Sequence, residues 1–114
     1  MQDVGSWIAG PVAGTIHVEY GVDVIKIEML EVGDAYRNLF DTAIVPDAST
    51  NYMWDMGARN KQSPSLNLKT EEGLKIISRL IEQCDVYITK QFFPLRNRLG
   101  LNYKEIKALN PSMI

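Results

Sequence analysis

The stretch Trp7–Glu28, with the sequence WIAGPVAGTIHVEYGVDVIKIE, decides the fold. Gly10-Pro11 places a permissive residue and a fixed φ where the first turn of a helix begins, and Gly21 is a typical helix end. Val12, Ile16 and Tyr20 recur at i, i+4 and i+8. The spacing predicts a helix from Pro11 to Tyr20 that packs one face on a sheet.

The β-branched run Val24-Ile25-Lys26-Ile27 predicts a strand buried in a parallel sheet. A helix followed by a parallel strand is the second half of a βαβ unit, in which ligands bind at the loop that leaves the carboxyl end of a strand. The loop before Gly10 is therefore the first candidate site. The six residues before Trp7 are few and polar, so we expect no good central strand there and a first strand that is mostly missing.

Length and composition bound the class of protein. A chain of 114 residues with 46% apolar residues is predicted to form a single domain over residues 1–114. Its 12 basic and 14 acidic residues lack the charge expected of a nucleic-acid binder. The single Cys84 forms no internal disulfide, and no apolar run has the length of a membrane span, so we expect a cytoplasmic protein with no nucleic-acid or membrane partner.

The middle of the chain carries weaker signals. Residues Met29–Pro46 show no regular spacing of apolar residues and are predicted to be a surface excursion outside the core. Asn51–Gly57 predicts a short helix whose aromatic side chains pack under that loop. The polar run Arg59–Lys69 predicts a short edge strand and solvated cations. His17 has no partner nearby and is assigned no role.

The most secure helix begins after Thr70, a good N-cap, and continues with two glutamates that suit the helix dipole. Its apolar stripe ends at Cys84, which favours an inert buried thiol over a nucleophile. The stripe consists of Leu74, Ile77, Ile81 and Cys84.

The last third predicts a buried strand over Asp85–Thr89, and a second ligand-facing loop over Lys90–Pro94. A short helix over Leu95–Leu99 and another over Tyr103–Leu109, capped by Asn102, are expected to follow. At the end of the chain a further strand is predicted to be just beginning. The order of elements predicts an α/β, Rossmann-like, mostly parallel sheet with helices on both faces and with both end strands cut.

Together these landmarks resemble the amino-terminal part of the family III CoA-transferases, the group that includes formyl-CoA transferase, carnitine CoA-transferase and α-methylacyl-CoA racemase. The resemblance spans nearly the whole chain. Its segments are Ala9-Gly10-Pro11, Gly21–Glu28, Gly33-Asp34 with Arg37, Asn60-Lys61 with Ser63, Leu68-Lys69-Thr70 with Glu72-Gly73, Asp85-Val86, Arg98-Leu99-Gly100 and Leu109-Asn110-Pro111.

The resemblance implies a domain that binds coenzyme A or acyl-CoA, with no metal, in a family whose members form interlocked dimers. The implied contacts are Trp7, Ile8, Leu66, Lys69, Lys90, Gln91 and Arg98. Of these, Leu66, Lys69 and Arg98 keep the expected residue type. Family members usually have an Arg or Pro where this chain has Met29, and Glu-Asn-Phe in the loop that here reads Thr89-Lys90-Gln91. We therefore expect weak binding.

The resemblance also implies a carboxylate nucleophile, an Asp that follows the strand beginning at Met113. The sequence stops at Ile114, so we expect this chain alone to be inactive. Because both end strands are cut, we also expect uncovered sheet edges and self-association as a dimer or a higher species. The alternative is a non-catalytic interaction module that acts by self-association or by docking on a full-length CoA-transferase. A third hypothesis, a small enzyme of unrecognised mechanism, finds no paired base and nucleophile.

Overall fold

The computed structural model describes residues 1–114 as a mixed α/β fold with two small parallel sheets. In chain order the elements are β1 Gln2–Val4, α1 Ala9–Glu19, β2 Ile25–Lys26, β3 Glu28–Met29, α2 Ala35–Asn38, a 3-10 turn Leu39–Asp41, α3 Tyr52–Ala58, β4 Ser65–Leu66, α4 Glu71–Glu82, β5 Tyr87–Thr89, α5 Phe93–Leu99 and α6 Tyr103–Leu109. None of the helices combines the length and apolar character needed to cross a membrane.

The first sheet has the order β2-β1-β5, so the opening strand is its central strand. Gln2 lies opposite Ile25 on one side and Tyr87 on the other, all in parallel register. The expectation that the opening residues make no central strand is therefore wrong. Three residues suffice because β1 is buried along its whole length and its one charge, Asp3, has a cationic partner in the interior.

The predicted strand Val24–Ile27 contains β2 of the first sheet, and the chain then passes directly into the second sheet. The Ile27 N–H still donates to the Asp3 carbonyl of β1 at 2.9 Å, whereas the Glu28 N–H donates to Pro64 at 3.2 Å. The chain thus leaves the first sheet at Ile27 and pairs β3 with β4 in the second sheet. The predicted edge strand at Leu66 is confirmed as β4.

Helices cover both faces of the first sheet, as predicted. Asp3 faces α1, where its carboxylate lies close to Gly10 and Gly14. Val4, the next residue along the strand, points to the opposite face and joins a core that α4 and α6 complete. The core comprises Val4, Ile27, Ile77, Ile81, Cys84, Leu101, Ile106 and Met113.

The predicted helix ends are mostly confirmed. The Thr70 side chain accepts a hydrogen bond from Gly73 N–H at 3.2 Å, and α6 has its predicted bounds. Asn102, however, makes no side-chain cap; its amide nitrogen donates to the Asn97 side chain at 3.0 Å. The first helix begins at Ala9, two residues earlier than predicted.

The segment Met29–Pro46 is not wholly an excursion, which corrects the prediction. Asp34, Tyr36 and Val45 are buried. Asp34 caps α2 by accepting from Tyr36 N–H at 2.9 Å, and its other oxygen pairs with a buried lysine. Polar interactions, which leave no apolar period in the sequence, anchor this segment to the core.

The chain end begins to pair with β5, in line with the expected strand. Ile114 N–H donates to the Asp85 carbonyl at 2.9 Å, and Tyr87 N–H donates to the Ile114 carbonyl at 3.0 Å. Met113 is buried against Cys84.

Candidate functional site

A cleft of about 520 Å³ opens at the carboxyl ends of the parallel strands. Its walls come from the loops that follow β1, β3, β4 and β5, and from one side of α5. This is where parallel α/β sheets bind ligands, and the volume is typical of small-molecule sites. The cleft is the candidate site of this molecule.

The interior of the cleft is largely apolar and its rim is charged. Side chains of Val4, Ile27, Leu66, Leu68, Leu95 and Leu99 line it. Lys69 and Glu31 are exposed at its edge, while Glu28 and Asp34 are buried in its wall. Such a cleft suits a ligand with an uncharged body and a charged end directed to the rim.

A buried ion pair fixes the loop after β1 beside the cleft. Lys26 Nζ lies 2.8 Å from Asp34 Oδ2 and donates to the Gly5 carbonyl at 3.0 Å. Asp34 also accepts from Trp7 N–H at 3.0 Å. Trp7 has a φ of 68°, a left-handed conformation that costs a non-glycine residue free energy. The hydrogen bond from Trp7 N–H to Asp34, and the one from Lys26 to the Gly5 carbonyl, hold Trp7 in this conformation.

Glu28 forms a second polar group in the cleft wall. Arg37 donates to it at 2.7 and 3.2 Å, the Ser63 hydroxyl also donates, and Asp34 N–H donates at 3.0 Å. Burial raises the pKa of Glu28, but these hydrogen bonds outweigh it and hold the pKa below its ordinary value. The carboxylate is therefore ionised, and both of its oxygens accept hydrogen bonds. Arg37 is itself stacked on Trp54, 4.0 Å from the ring centre.

A third polar group joins the sheet to two helices. Lys61 Nζ lies 3.1 Å from Asp3 and donates to the Pro11 carbonyl in α1. It also reaches the Gly57 carbonyl of α3 at 3.4 Å. Burial lowers the pKa of Lys61, and the nearby Asp3 carboxylate opposes this in part. Sequence reasoning treated Lys61 as a solvated surface cation, and the structure corrects this.

The structure distributes the seven predicted contact residues in three ways. Leu66, Lys69 and Gln91 line the cleft. Trp7 and Lys90, on the two loops beside it, contact each other, with the ammonium 5.9 Å from the ring centre.

Ile8 and Arg98 are exposed outside the cleft lining. Met29, where family members usually have Arg or Pro, does line the cleft. The buried carboxylates of Glu28 and Asp34 were missed as wall residues, because nothing local in the sequence marks a carboxylate that is buried and paired.

Other reactive side chains offer no alternative centre. Cys84 is buried, and burial raises the pKa of its thiol, in agreement with an inert residue. His17 is exposed and its ring bonds only to the Ala13 carbonyl one turn earlier. No group of three His, Cys, Asp or Glu side chains is placed to bind a metal ion.

Fold and cleft together define a parallel α/β protein of the Rossmann-like class. The chain belongs to CoA-transferase family III, whose family model matches residues 2–114. It is 31% identical over 113 residues to (R)-2-hydroxy-4-methylpentanoate CoA-transferase of Clostridioides difficile, a match that covers 98% of this chain and 28% of that protein.

Two further comparisons agree. The chain is 35% identical over 113 residues to the alpha subunit of succinyl-CoA–L-malate CoA-transferase of Chloroflexus aurantiacus, covering 98% of this chain and 26% of that protein. A crystal structure of a CAIB/BAIF family protein from Brucella suis superposes with a TM-score of 0.87 at 30% identity, over 99% of this chain and 30% of that one. The chain thus spans little more than a quarter of the length of its curated relatives.

Proposed function

We propose that this chain binds coenzyme A or an acyl-CoA in the cleft at the carboxyl ends of its strands. The observation that carries the proposal is the convergence of Leu66, Lys69 and Gln91 on one cleft, with Trp7 and Lys90 in contact beside it. The relatives named above are CoA-transferases, so a CoA-type ligand is the one that the family favours.

The chemistry of the cleft suggests how the ligand lies. The pantetheine portion of CoA is uncharged and suits the apolar interior, where the side-chain oxygen of Gln91 is buried without a partner and is free to accept from an amide. The phosphates need cations: Lys69 lines the cleft and is exposed, and Lys90 is exposed next to Gln91 of the lining. Arg98 lies on α5 outside the residues that line the cleft, and we propose that it contacts the 3′-phosphate of CoA.

The role of this chain is binding, with the nucleophile supplied elsewhere. Three carboxylates line the cleft: Asp34 is paired with Lys26, Glu28 is paired with Arg37, and Glu31 is exposed at the edge. A nucleophilic carboxylate must be both free and held in position against the acyl group; the two paired carboxylates are not free, and Glu31 is exposed to solvent at the edge. We expect no CoA transfer from formyl-CoA or succinyl-CoA to a panel of acids. Turnover above a buffer blank that survives repurification would contradict this.

Calorimetry with CoA tests the binding proposal. We expect a dissociation constant in the micromolar to millimolar range, roughly −8 to −4 kcal/mol. Lys69→Ala should weaken binding about tenfold or more, because a hydrogen bond to a charged group contributes about 1.5–3 kcal/mol. Lys75 is an exposed cation on α4 that does not line the cleft, and Lys75→Ala is the matched control.

Dephospho-CoA separates the assigned roles. Arg98→Ala should weaken CoA binding but leave dephospho-CoA binding unchanged, whereas Lys69→Ala should weaken both. No heat with the parent chain at low salt, or affinities unchanged by both substitutions, would reject the cleft as a CoA site.

The alternative function is an interaction module that pairs with a second copy or docks on a full-length CoA-transferase. The observation that favours it is the exposure of large apolar side chains such as Phe92 and Phe93, which are 83% and 63% exposed. A stable monomer in sedimentation at about tens of micromolar would contradict self-association with a micromolar dissociation constant.

A further inference from the structure

The ring of Trp54 contacts both cations that pair with the carboxylates of the cleft wall. The Arg37 guanidinium lies 4.0 Å from the ring centre, and the Lys26 ammonium lies 5.7 Å from it. Both distances are within the range of cation–π attraction, which strengthens where the cation is withdrawn from water. Trp54 therefore links the two ion pairs of the wall.

The position of the ring is set by Asn51. The side-chain oxygen of Asn51 accepts from Trp54 N–H at 3.1 Å, and its amide nitrogen donates to the Arg37 carbonyl at 2.8 Å. One residue thus caps α3, which carries Trp54, and ties the start of that helix to α2, which carries Arg37. The stack is therefore fixed by backbone contacts at both of its members.

Of the two cations, Arg37 is the one whose position depends on the ring. Its side chain is 44% exposed, whereas that of Lys26 is 1% exposed and is also held by the Gly5 carbonyl. An exposed arginine that leaves its partner gains rotamer freedom and hydration. Stacking on Trp54 restricts the guanidinium to the orientation in which it donates twice to Glu28, at 2.7 and 3.2 Å.

The charge of Glu28 affects the ligand because this carboxylate lies in the lining of the cleft. The lining contains three carboxylates, Glu28, Glu31 and Asp34, but a single cation, Lys69. Coenzyme A carries negative charges on its phosphates, and a carboxylate without a counter-charge in the wall repels them. Arg37 cancels the charge of Glu28 only while the two side chains stay in contact.

We propose that Trp54 is a positioning residue of the cleft, which holds Arg37 on Glu28 and thereby keeps the wall neutral toward an anionic ligand. Trp54 acts through Arg37 and does not itself line the cleft. The choice of CoA as the ligand rests on the proposed function, whereas the contact between Arg37 and Glu28 is testable without a ligand. Loss of the ring should weaken the binding of CoA but not that of pantetheine, which is uncharged.

Calorimetry with CoA and NMR titration with pantetheine, both on the full 114-residue chain, test the role of the ring. Trp54→Leu should weaken CoA binding about threefold or more, because one cation–π contact to a half-exposed cation corresponds to a factor of about two to five. Trp54→Phe, which keeps a ring, should restore most of the CoA affinity. Tyr103 contacts Lys107 at 5.7 Å outside the residues that line the cleft, so Tyr103→Leu is the matched control and should bind both ligands like the parent.

The titration of Glu28, followed by NMR of its carboxyl carbon in the absence of ligand, tests the contact directly. The groups that donate to Glu28 are Arg37, the Ser63 hydroxyl and the Asp34 N–H. Trp54→Leu should raise the pKa of Glu28 toward its ordinary value of 4.5, since the cationic partner is then released.

A double-variant cycle separates positioning from packing. Because Trp54 acts through Arg37, Trp54→Leu should weaken CoA binding little further once Arg37→Gln is present. Circular dichroism establishes that each variant is folded. If Trp54→Leu does not fold, Asn51→Ala replaces it, since it frees the ring from the Arg37 carbonyl and should shift CoA binding and the pKa of Glu28 in the same direction.

Three results would each overturn the proposal. These are a folded Trp54→Leu chain whose Glu28 pKa equals that of the parent, equal losses of CoA and pantetheine affinity in that chain, and effects of Trp54→Leu and Arg37→Gln that add in full. A parent chain that binds no CoA would reject the proposed function, and the titration of Glu28 would then decide whether Trp54 positions Arg37.

Discussion

Lys26 Nζ lies 2.8 Å from Asp34 Oδ2, and both side chains are 1% exposed. The pair spans two segments, because Lys26 is in the first sheet and Asp34 caps α2. Both partners also bond to the loop after β1, at the Gly5 carbonyl and the Trp7 N–H. This buried pair therefore fixes the cleft wall at Asp34 and Gly5, and with it the position of Trp7.

Asp34→Asn should destabilise the protein by about 3–5 kcal/mol, the usual cost of leaving one member of a buried pair without its counter-charge. The measurement is the urea unfolding midpoint. Glu19→Gln removes one member of the exposed pair with Arg59 and should change stability by less than about 1 kcal/mol. An Asp34→Asn midpoint equal to that of the parent would mean that the Lys26 charge finds another partner.

Gln2→Leu should stabilise the protein. The Gln2 side chain is 1% exposed, and neither its amide nitrogen nor its oxygen has a hydrogen-bond partner. A buried polar group without a partner costs about 1–3 kcal/mol, and leucine has a similar volume without that cost. Gln62→Leu, at an exposed position, should change stability by less than about 0.5 kcal/mol. A lower urea midpoint for Gln2→Leu would indicate that the amide is satisfied in solution.

Glu28 should contribute to the acid sensitivity of the fold. Its pKa is below the ordinary value of 4.5 in the folded chain, so the folded state binds this proton less readily than the unfolded state. The stabilisation is present above pH 4.5 and is lost as the pH falls through the folded pKa. Stability measured against pH should therefore fall less steeply below pH 4.5 in Glu28→Gln than in the parent. Parallel acid limbs would show that Glu28 is not responsible.

Local patterns in the sequence were sufficient for the elements that local interactions determine. Thr70 and the apolar stripe from Leu74 predicted α4, and α6 was predicted with its observed bounds. The strand Asp85–Thr89 was predicted for the same reason, since its residues form one short apolar run.

Local patterns failed where polar residues are satisfied by distant partners. Asp3 is buried because Lys61, 58 residues away, neutralises it, so a strand that is polar in sequence becomes the centre of the sheet. Asp34 anchors a segment without apolar period through its pair with Lys26. The resemblance to a family implied contacts in the loops after β1, β4 and β5, which border the cleft, but the polar wall of the cleft depends on these pairings and appears only in three dimensions.

Gly73 controls the loop that carries Lys69 into the cleft. A Cβ atom at position 73 would lie 2.1 Å from the Asn67 carbonyl oxygen and 2.7 Å from its carbon, distances that require the backbone to move. The same carbonyl accepts from Thr70 N–H at 3.1 Å and from its hydroxyl at 2.9 Å. Asn67, Leu68 and Lys69 all line the cleft, so a displaced loop changes the cleft directly.

Two effects of Gly73→Ala oppose each other. Alanine is a better helix former than glycine by about 1 kcal/mol, which alone would raise stability. Overpacking against a backbone typically costs about 1–3 kcal/mol, and at a separation of 2.1 Å we expect the upper part of that range to prevail. Gly73→Ala should therefore lower the urea midpoint and, by moving Lys69, weaken CoA binding. Lys75→Ala on the same helix should do neither, and a Gly73→Ala chain more stable than the parent would mean that the loop yields freely and does not fix Lys69.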